Sequence, residues 1–289
     1  MTASAHLRQQ SLIKALFMDL DGTLLNSRSE ISPRNHAVLR ECQDAGIRLF
    51  VATGRSPRVR RQLGLTSREA QTLLSEGGIF HNGACICHAG ARHYTTMPRQ
   101  TAQQAVEIVA AHPGVNLALQ MPGDRHSFRY ELDSEEQGLW GIEPRDLVPW
   151  GELAGAEGEA FEVVKIVVFG GPSTPQAVIV DLHAQLCRAL DVGANLYLSG
   201  GEFRTVDVTA KGASKRRAVE RLAGWWGLCS EQVAVIGDDR NDVEMLAAFE
   251  HSVAMGNACP EAKAAATHTA PSNDDDGVYH AVTSILKLV

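Results

Sequence analysis

The sequence predicts an α/β protein: a Rossmann-like parallel-sheet core domain with an inserted α+β cap domain. Three observations carry that expectation. Short apolar runs alternate with amphipathic helical patterns from Lys14 to about Cys87. Between about Ala89 and Gly200 this order gives way to mixed strand and helix signals around a Pro/Gly-rich stretch. The alternation resumes at Ala213. Regular βαβα order implies a parallel sheet with right-handed crossovers. The expected domains are a discontinuous core, 1–88 with 201–289, and a cap, 89–200.

Ala15-Leu16-Phe17-Met18 is apolar on both faces, as a buried parallel strand requires. Asp19 and Asp21 end it, and a Gly22-Thr23 turn follows. Ser32-Pro33 opens a helix, with Ser as N-cap and Pro in the first turn. Val38, Leu39 and Cys42 form its apolar stripe, and Gly46 closes it. Ile47 to Val51 is the next strand, Ser56-Pro57 opens the next helix, and Gly77 to His81 is a weaker third strand.

In the insert, Val163 to Phe169 reads as a strand and Pro175 to Leu190 as a helix. Residues 122–160 are rich in Gly, Pro and acids and give no assignable pattern. Helices follow over 213–226, 242–249 and 275–288, with strands at 233–236 and 252–255.

Composition bounds the function. A 289-residue chain with 44% hydrophobic and 21% charged residues suits a soluble protein of one large or two medium domains. No apolar run approaches the roughly 20 residues of a membrane span. The polar start, Met1 to Gln10, lacks a signal core, so a cytoplasmic location is expected. A net charge of −7, without a basic tract, argues against nucleic acid as a partner. The six cysteines have no zinc-type spacing and read as reduced thiols. His81, His88 and His93 fit no standard metal spacing.

Candidate chemistry lies at the strand ends, where open α/β sheets bind ligands. Side chains alternate along a strand, so Asp19 and Asp21 can flank one small site. An ordinary polar turn reads the same way. A calcium loop does not, because Leu24-Leu25 is apolar where ligands are due. Thr53-Gly54-Arg55 is either a phosphate cradle at a helix start or a simple turn. Lys215, on the helix after Asp207-Val208, is either functional or a solvated charge. Gly237-Asp238-Asp239-Arg240-Asn241-Asp242 suggests a divalent cation with oxygen ligands, or a loop whose Asp caps the next helix.

Together these segments resemble the haloacid dehalogenase superfamily, and within it the Cof-type phosphatases with a large cap. Asp19-Leu20-Asp21-Gly22-Thr23, Ala52-Thr53-Gly54-Arg55, Ser214-Lys215 and Gly237-Asp238 through Asp242 match its four motifs in order. Asn82-Gly83-Ala84 matches the segment leading into the cap. Met255-Gly256-Asn257-Ala258 and Asp276-Gly277-Val278 match the C-terminal signature. Arg216 stands where the family often has Gly, and Lys211-Gly212 offers a competing lysine. Lys215 is preferred because Ser-Lys precedes an apolar-striped helix.

The resemblance implies a phosphatase of small phosphorylated metabolites, sugar phosphates or phosphorylated cofactors. It implies Asp19 as nucleophile, Asp21 as general acid and Thr23 as the residue that holds Asp21 or the loop in place. Mg²⁺ would be held by the Asp19 carboxylate, the Asp21 carbonyl and the Asp238 carboxylate. Thr53, Gly54, Lys215 and Asn241 would bind phosphate, and Asp242 would orient Lys215 or a metal-bound water. Arg125, His126, Arg129 and Arg204 of the cap are candidates for meeting the leaving group. A phosphomutase and a non-catalytic binding protein are the alternatives on this scaffold. A monomer or weak homodimer is expected.

Overall fold

The computed structural model describes residues 13–150, 162–171, 173–199 and 202–289. The polar start and residues 151–160 of the unassigned stretch lie outside them. Two sheets carry the architecture, in the orders β13-β12-β11-β1-β2-β3-β4-β5 and β7-β6-β8-β10-β9.

In the first sheet, β1 (Ala15–Met18) lies between β2 (Arg48–Ala52) and β11 (Val233–Gly237), parallel to both. All four β1 residues are buried. The Phe17 and Phe50 rings stack at 4.6 Å across β1 and β2. β3 (Gly78–Phe80), β12 (His251–Ala254) and β13 (His268–Thr269) continue the parallel array outward. A central strand covered by helices must be apolar on both faces, and this sequence is. α1 (Pro33–Asp44) starts at Ser32, whose hydroxyl accepts from the Asn35 amide.

The second sheet is antiparallel. It contains β6 (Val115–Met121), β7 (Arg125–Phe128), β8 (Lys165–Gly170), β9 (Val192–Ser199) and β10 (Glu202–Ala210). Alternation sorts its two faces. Leu117, Leu119, Ile166, Val168, Val206 and Val208 form a core with Ile179, Leu182 and Leu186 of the helix Gln176–Ala189. The intervening residues Gln120, Lys165, Val167, Thr205 and Asp207 turn the other way and line a cavity against the first sheet.

The chain passes from the first sheet to the second between Tyr94 and Val115 and leaves the second after Ala210. β4 (Cys85–His88) and β5 (Ala91–Tyr94) pair antiparallel, with Ile86 opposite His93, so the first sheet runs to Tyr94. β10 is bonded on both edges to cap strands, so the cap sheet extends to Ala210.

Two helices differ from expectation. The segment opened by Ser56-Pro57 splits into α2 (Val59–Gln62) and α3 (Ser67–Leu74), because Thr66 and Glu69 form a capping box that starts a new helix. The last helix begins at Gly277, not 275, since Asp276 sits at φ 55° and cannot be helical. Its hydrogen bonding then widens to a π turn over Ala281–Ile285.

Candidate active site

The carboxyl ends of β1, β2 and β11 converge on one cavity of about 520 Å³, lined by Asp19, Gly54, Asp238 and Asn241 from the first sheet. Asp19 continues β1, its amide donating to the Ile236 carbonyl at 3.0 Å. Its carboxylate is buried, and Oδ1 accepts from Lys215 Nζ at 2.6 Å. Lys215 opens the helix Lys215–Trp225 directly after its cap Ser214, which fixes where the ammonium points. The same ammonium donates to Asp242 Oδ1 at 2.7 Å. Asp242 Oδ2 accepts the Asp238 and Asp239 amides at 3.0 and 3.2 Å. Asp242 thus ties the loop after β11 to Lys215, and both its oxygens are occupied.

Asp238 accepts the Thr23 hydroxyl on Oδ1 at 2.7 Å. Gly22, at φ +76°, leaves room for this carboxylate; a Cβ there would collide with it. Asp19, Asp238 and Asp242 bring carboxylate oxygens within 4.8 Å of one another.

Three carboxylates around one ammonium are under-compensated. Burial raises the Asp19 pKa well above the usual carboxylate range; Lys215 opposes this, while Asp242, Asp238 and Asp21 add to it. Burial, reinforced by Asp242, pushes Asp238 up to about 7 against the pull of Thr23 and Lys215. Burial alone would lower the Lys215 pKa, but Asp19 and Asp242 together raise it above its ordinary value. The cluster therefore has excess negative charge and only oxygen donors, which suits a hard divalent cation.

Asp21 stands apart from this cluster. Its side chain is half exposed and gripped by the Arg55 fork, at 2.7 Å from Nε and 2.6 Å from Nη2. Thr53 is fully buried, and its hydroxyl accepts the Arg55 amide at 3.1 Å. Gly54 lines the cavity, and a Cβ there would lie 2.8 Å from Asn82 Oδ1.

Asn241 is turned opposite to the expected phosphate donor. Its Nδ2 donates to Asn82 Oδ1 at 3.0 Å, and its own carbonyl oxygen is buried without a donor. The orientation is fixed because Asn82 Nδ2 in turn donates to Asp207 Oδ2 at 3.2 Å. Lys165 completes the chain, donating to Asp207 Oδ2 at 2.7 Å and to the Gly54 carbonyl at 2.9 Å.

The two candidate lysines are separated by the structure. Lys215 reaches Asp19, whereas Lys211 is exposed and pairs with Asp191 at 2.9 Å. None of the four cap candidates lines the cavity. Arg129 bonds the carbonyls of Val109, Ala110, His112 and Val115, capping the end of the helix Arg99–Ala110. His126 is buried against the Asp124 carbonyl, Arg204 bonds the Thr174 carbonyl, and Arg125 bonds that of Pro122. Arg55, Lys165 and Asp207, which line the cavity, and Asn82, which bonds Asp207, are among the residues to which the sequence assigns no role. Arg55 and Asn82 stood inside quoted motifs. Lys165 carried a signal too, a lone charge beginning an otherwise apolar strand.

The chain matches the haloacid dehalogenase-like hydrolase family over residues 16–282. A Bacillus subtilis protein named 5-amino-6-(5-phospho-D-ribitylamino)uracil phosphatase YwtE is 25% identical over 303 residues, covering 95% of this chain and 98% of its own. A chloroplastic endoribonuclease YBEY of Arabidopsis thaliana is 25% identical over 273 residues, or 92% of this chain, and this chain spans 45% of its length. The crystal structure of a haloacid dehalogenase-like hydrolase from Bacteroides thetaiotaomicron superposes with a TM-score of 0.73 at 25% identity, covering 94% of this chain and 99% of that one. With its motifs in order and their side chains gathered at the strand ends, the chain belongs to the haloacid dehalogenase-like hydrolase family.

Proposed function

We propose that this protein hydrolyses the phosphate monoester of a small metabolite, with Asp19 as nucleophile and Mg²⁺ as cofactor. The observation that carries the proposal is the Lys215 ammonium bridging Asp19 and Asp242 beside Asp238 at the floor of the cavity.

The Asp19 carboxylate and the incoming phosphate repel each other. Lys215 holds one Asp19 oxygen and lowers that repulsion, which leaves the other oxygen as the nucleophile. Attack forms the Asp19–phosphorus bond and breaks the bond to the leaving oxygen, splitting a very slow hydrolysis into two steps. Asp21 protonates the leaving oxygen and later takes a proton from the attacking water. To do so it must exchange its Arg55 partner for the substrate. The Asp19 and Asp238 carboxylates with the Asp21 carbonyl would hold Mg²⁺, which supplies charge stabilisation of the transferring group when bound. Gly54 and Thr53 supply the backbone and hydroxyl of the phosphate cradle.

No helix among the described residues is long and apolar enough to cross a membrane, and all six cysteines are free thiols. Free thiols accord with a reducing cytoplasm. A monomer or weak dimer completes the proposal.

The test is phosphate release from a panel of phosphorylated metabolites with Mg²⁺ and with EDTA. Turnover should require the metal, and Asp19→Asn should lose at least a hundredfold, equivalent to about 3 kcal/mol of barrier. Full activity in excess EDTA, or an active Asp19→Asn variant, overturns it.

A further inference from the structure

The wall of the cavity opposite the carboxylates has a chemistry of its own. Its ionic groups are already engaged. Lys165 is held by Asp207 and the Gly54 carbonyl, and Asp207 also accepts from Asn82. What that wall still offers a ligand is the Trp140 side chain, the Val167 side chain, the amides of Gln62 and Gln120 and the Thr205 hydroxyl.

Trp140 is rigidly supported. Phe128 meets it edge-on at 5.2 Å, and Phe169 lies tilted at 5.5 Å. Its backbone carbonyl accepts Gln62 Nε2 at 3.1 Å, so a core helix fixes the end of the cap helix Ser134–Trp140 over the cavity. That bond also settles the Gln62 amide orientation, since only nitrogen can donate to a carbonyl. The Gln62 carbonyl oxygen is left buried with no donor. An unpaired buried acceptor costs stability unless a bound group donates to it.

We propose that Trp140 is a stacking platform for the leaving group of the substrate, and that this leaving group is a flat ring with an N–H or O–H at its edge. The inference rests on the phosphatase reading for the word substrate, but not for the binding it describes. A puckered sugar ring covers less of an indole face than a planar ring does. The planar ring gains the stack, and its edge donor satisfies the Gln62 carbonyl.

Calorimetry on the Asp19→Asn protein with Mg²⁺ tests this by comparing pyridoxine 5′-phosphate, ribitol 5-phosphate and glucose 6-phosphate. The flat ring should bind at least about tenfold more tightly than either of the others. Trp140→Leu should bring that ratio close to one, and Trp140→Phe should keep most of it. Gln62→Met should reduce the ratio for a ring bearing the edge donor. The same titrations with pyridoxine and ribitol on the unmutated chain give the ratio without relying on Asp19→Asn. Equal affinity for the three ligands, or a ratio that survives Trp140→Leu, overturns the proposal, as does failure of all to bind. A ring preference abolished by Trp140→Leu in a protein that releases no phosphate from any panel member would instead sink the phosphatase reading and leave this one standing.

Discussion

Lys215 places one ammonium between two carboxylates, 2.6 Å from Asp19 and 2.7 Å from Asp242, with no side-chain exposure. A buried slot of that shape does not admit a guanidinium. Lys215→Arg should therefore lose at least a hundredfold in kcat while Lys215→Met loses more, as steady-state phosphate release would show; an active arginine variant would count against the slot. Asp21 makes a different prediction. Proton transfer to the leaving oxygen is worth roughly 10²–10⁴-fold, so Asp21→Asn should lower kcat by that order on alkyl phosphates. On p-nitrophenyl phosphate, whose leaving group needs little protonation, the loss should be much smaller. An equal loss on both would remove Asp21 from acid chemistry. At this scale the sequence is legible where chemistry demands a residue type at a strand end or a helix start: Asp19, Asp238 and Lys215 all reach one point. It is illegible where the role depends on orientation. Nothing in the order of residues tells which way the Asn241 amide turns, because its Asn82 partner lies 159 positions away.

β7 carries a histidine whose ionisation the fold resists. His126 is buried, donates from Nδ1 to the Asp124 carbonyl, and has its pKa pushed down to about 4, by burial first and then by Arg58. His81, after β3, is lowered well below its ordinary value, also by burial first. Neutral histidine is the folded form, so between pH 6.5 and about 4 the unfolded chain binds protons that the native chain refuses. Stability is then full above pH 6.5 and falls with pH, by up to about 3 kcal/mol for His126 alone. Urea midpoints at pH 7.5 and 5.0 should draw together in His126→Gln relative to the unmutated chain. An unchanged gap would mean the imidazole titrates freely in the native state. Elements themselves are legible where period and caps agree, as in α1 with Ser32, Pro33 and its buried stripe. They are not where a local signal competes: the Thr66–Glu69 capping box divides a segment that reads as one helix.

The division of the chain between the two sheets is a property of the whole molecule, set by strand pairings that local sequence does not record. Neither β5 nor β10 states its sheet: antiparallel partners are chosen by register with distant strands, and periodicity records only that a strand exists. Across the join between the two sheets, Lys165 of β8 is buried and holds both Asp207 and the carbonyl of Gly54, part of the proposed phosphate cradle. Removing one member of a buried ion pair typically costs about 3–5 kcal/mol, because the other charge stays unpaired, whereas replacing both with apolar groups is often near neutral. Lys165→Met should accordingly destabilise the protein by that order, and Lys165→Met with Asp207→Leu should recover most of the loss in urea denaturation. Activity should behave otherwise. The double variant still lacks the cation on the Gly54 carbonyl and the acceptor for Asn82, so the cap no longer grips the cradle. Its kcat/KM should stay depressed, by about tenfold or more, on every substrate alike, because the cradle would hold the phosphate that all substrates share. Recovery of stability without recovery of rate would identify the pair as the link between cap closure and the phosphate cradle. Recovery of both would reduce it to a packing contact, and recovery of neither would mean that the apolar pair does not fit the cavity wall between β8 and β10.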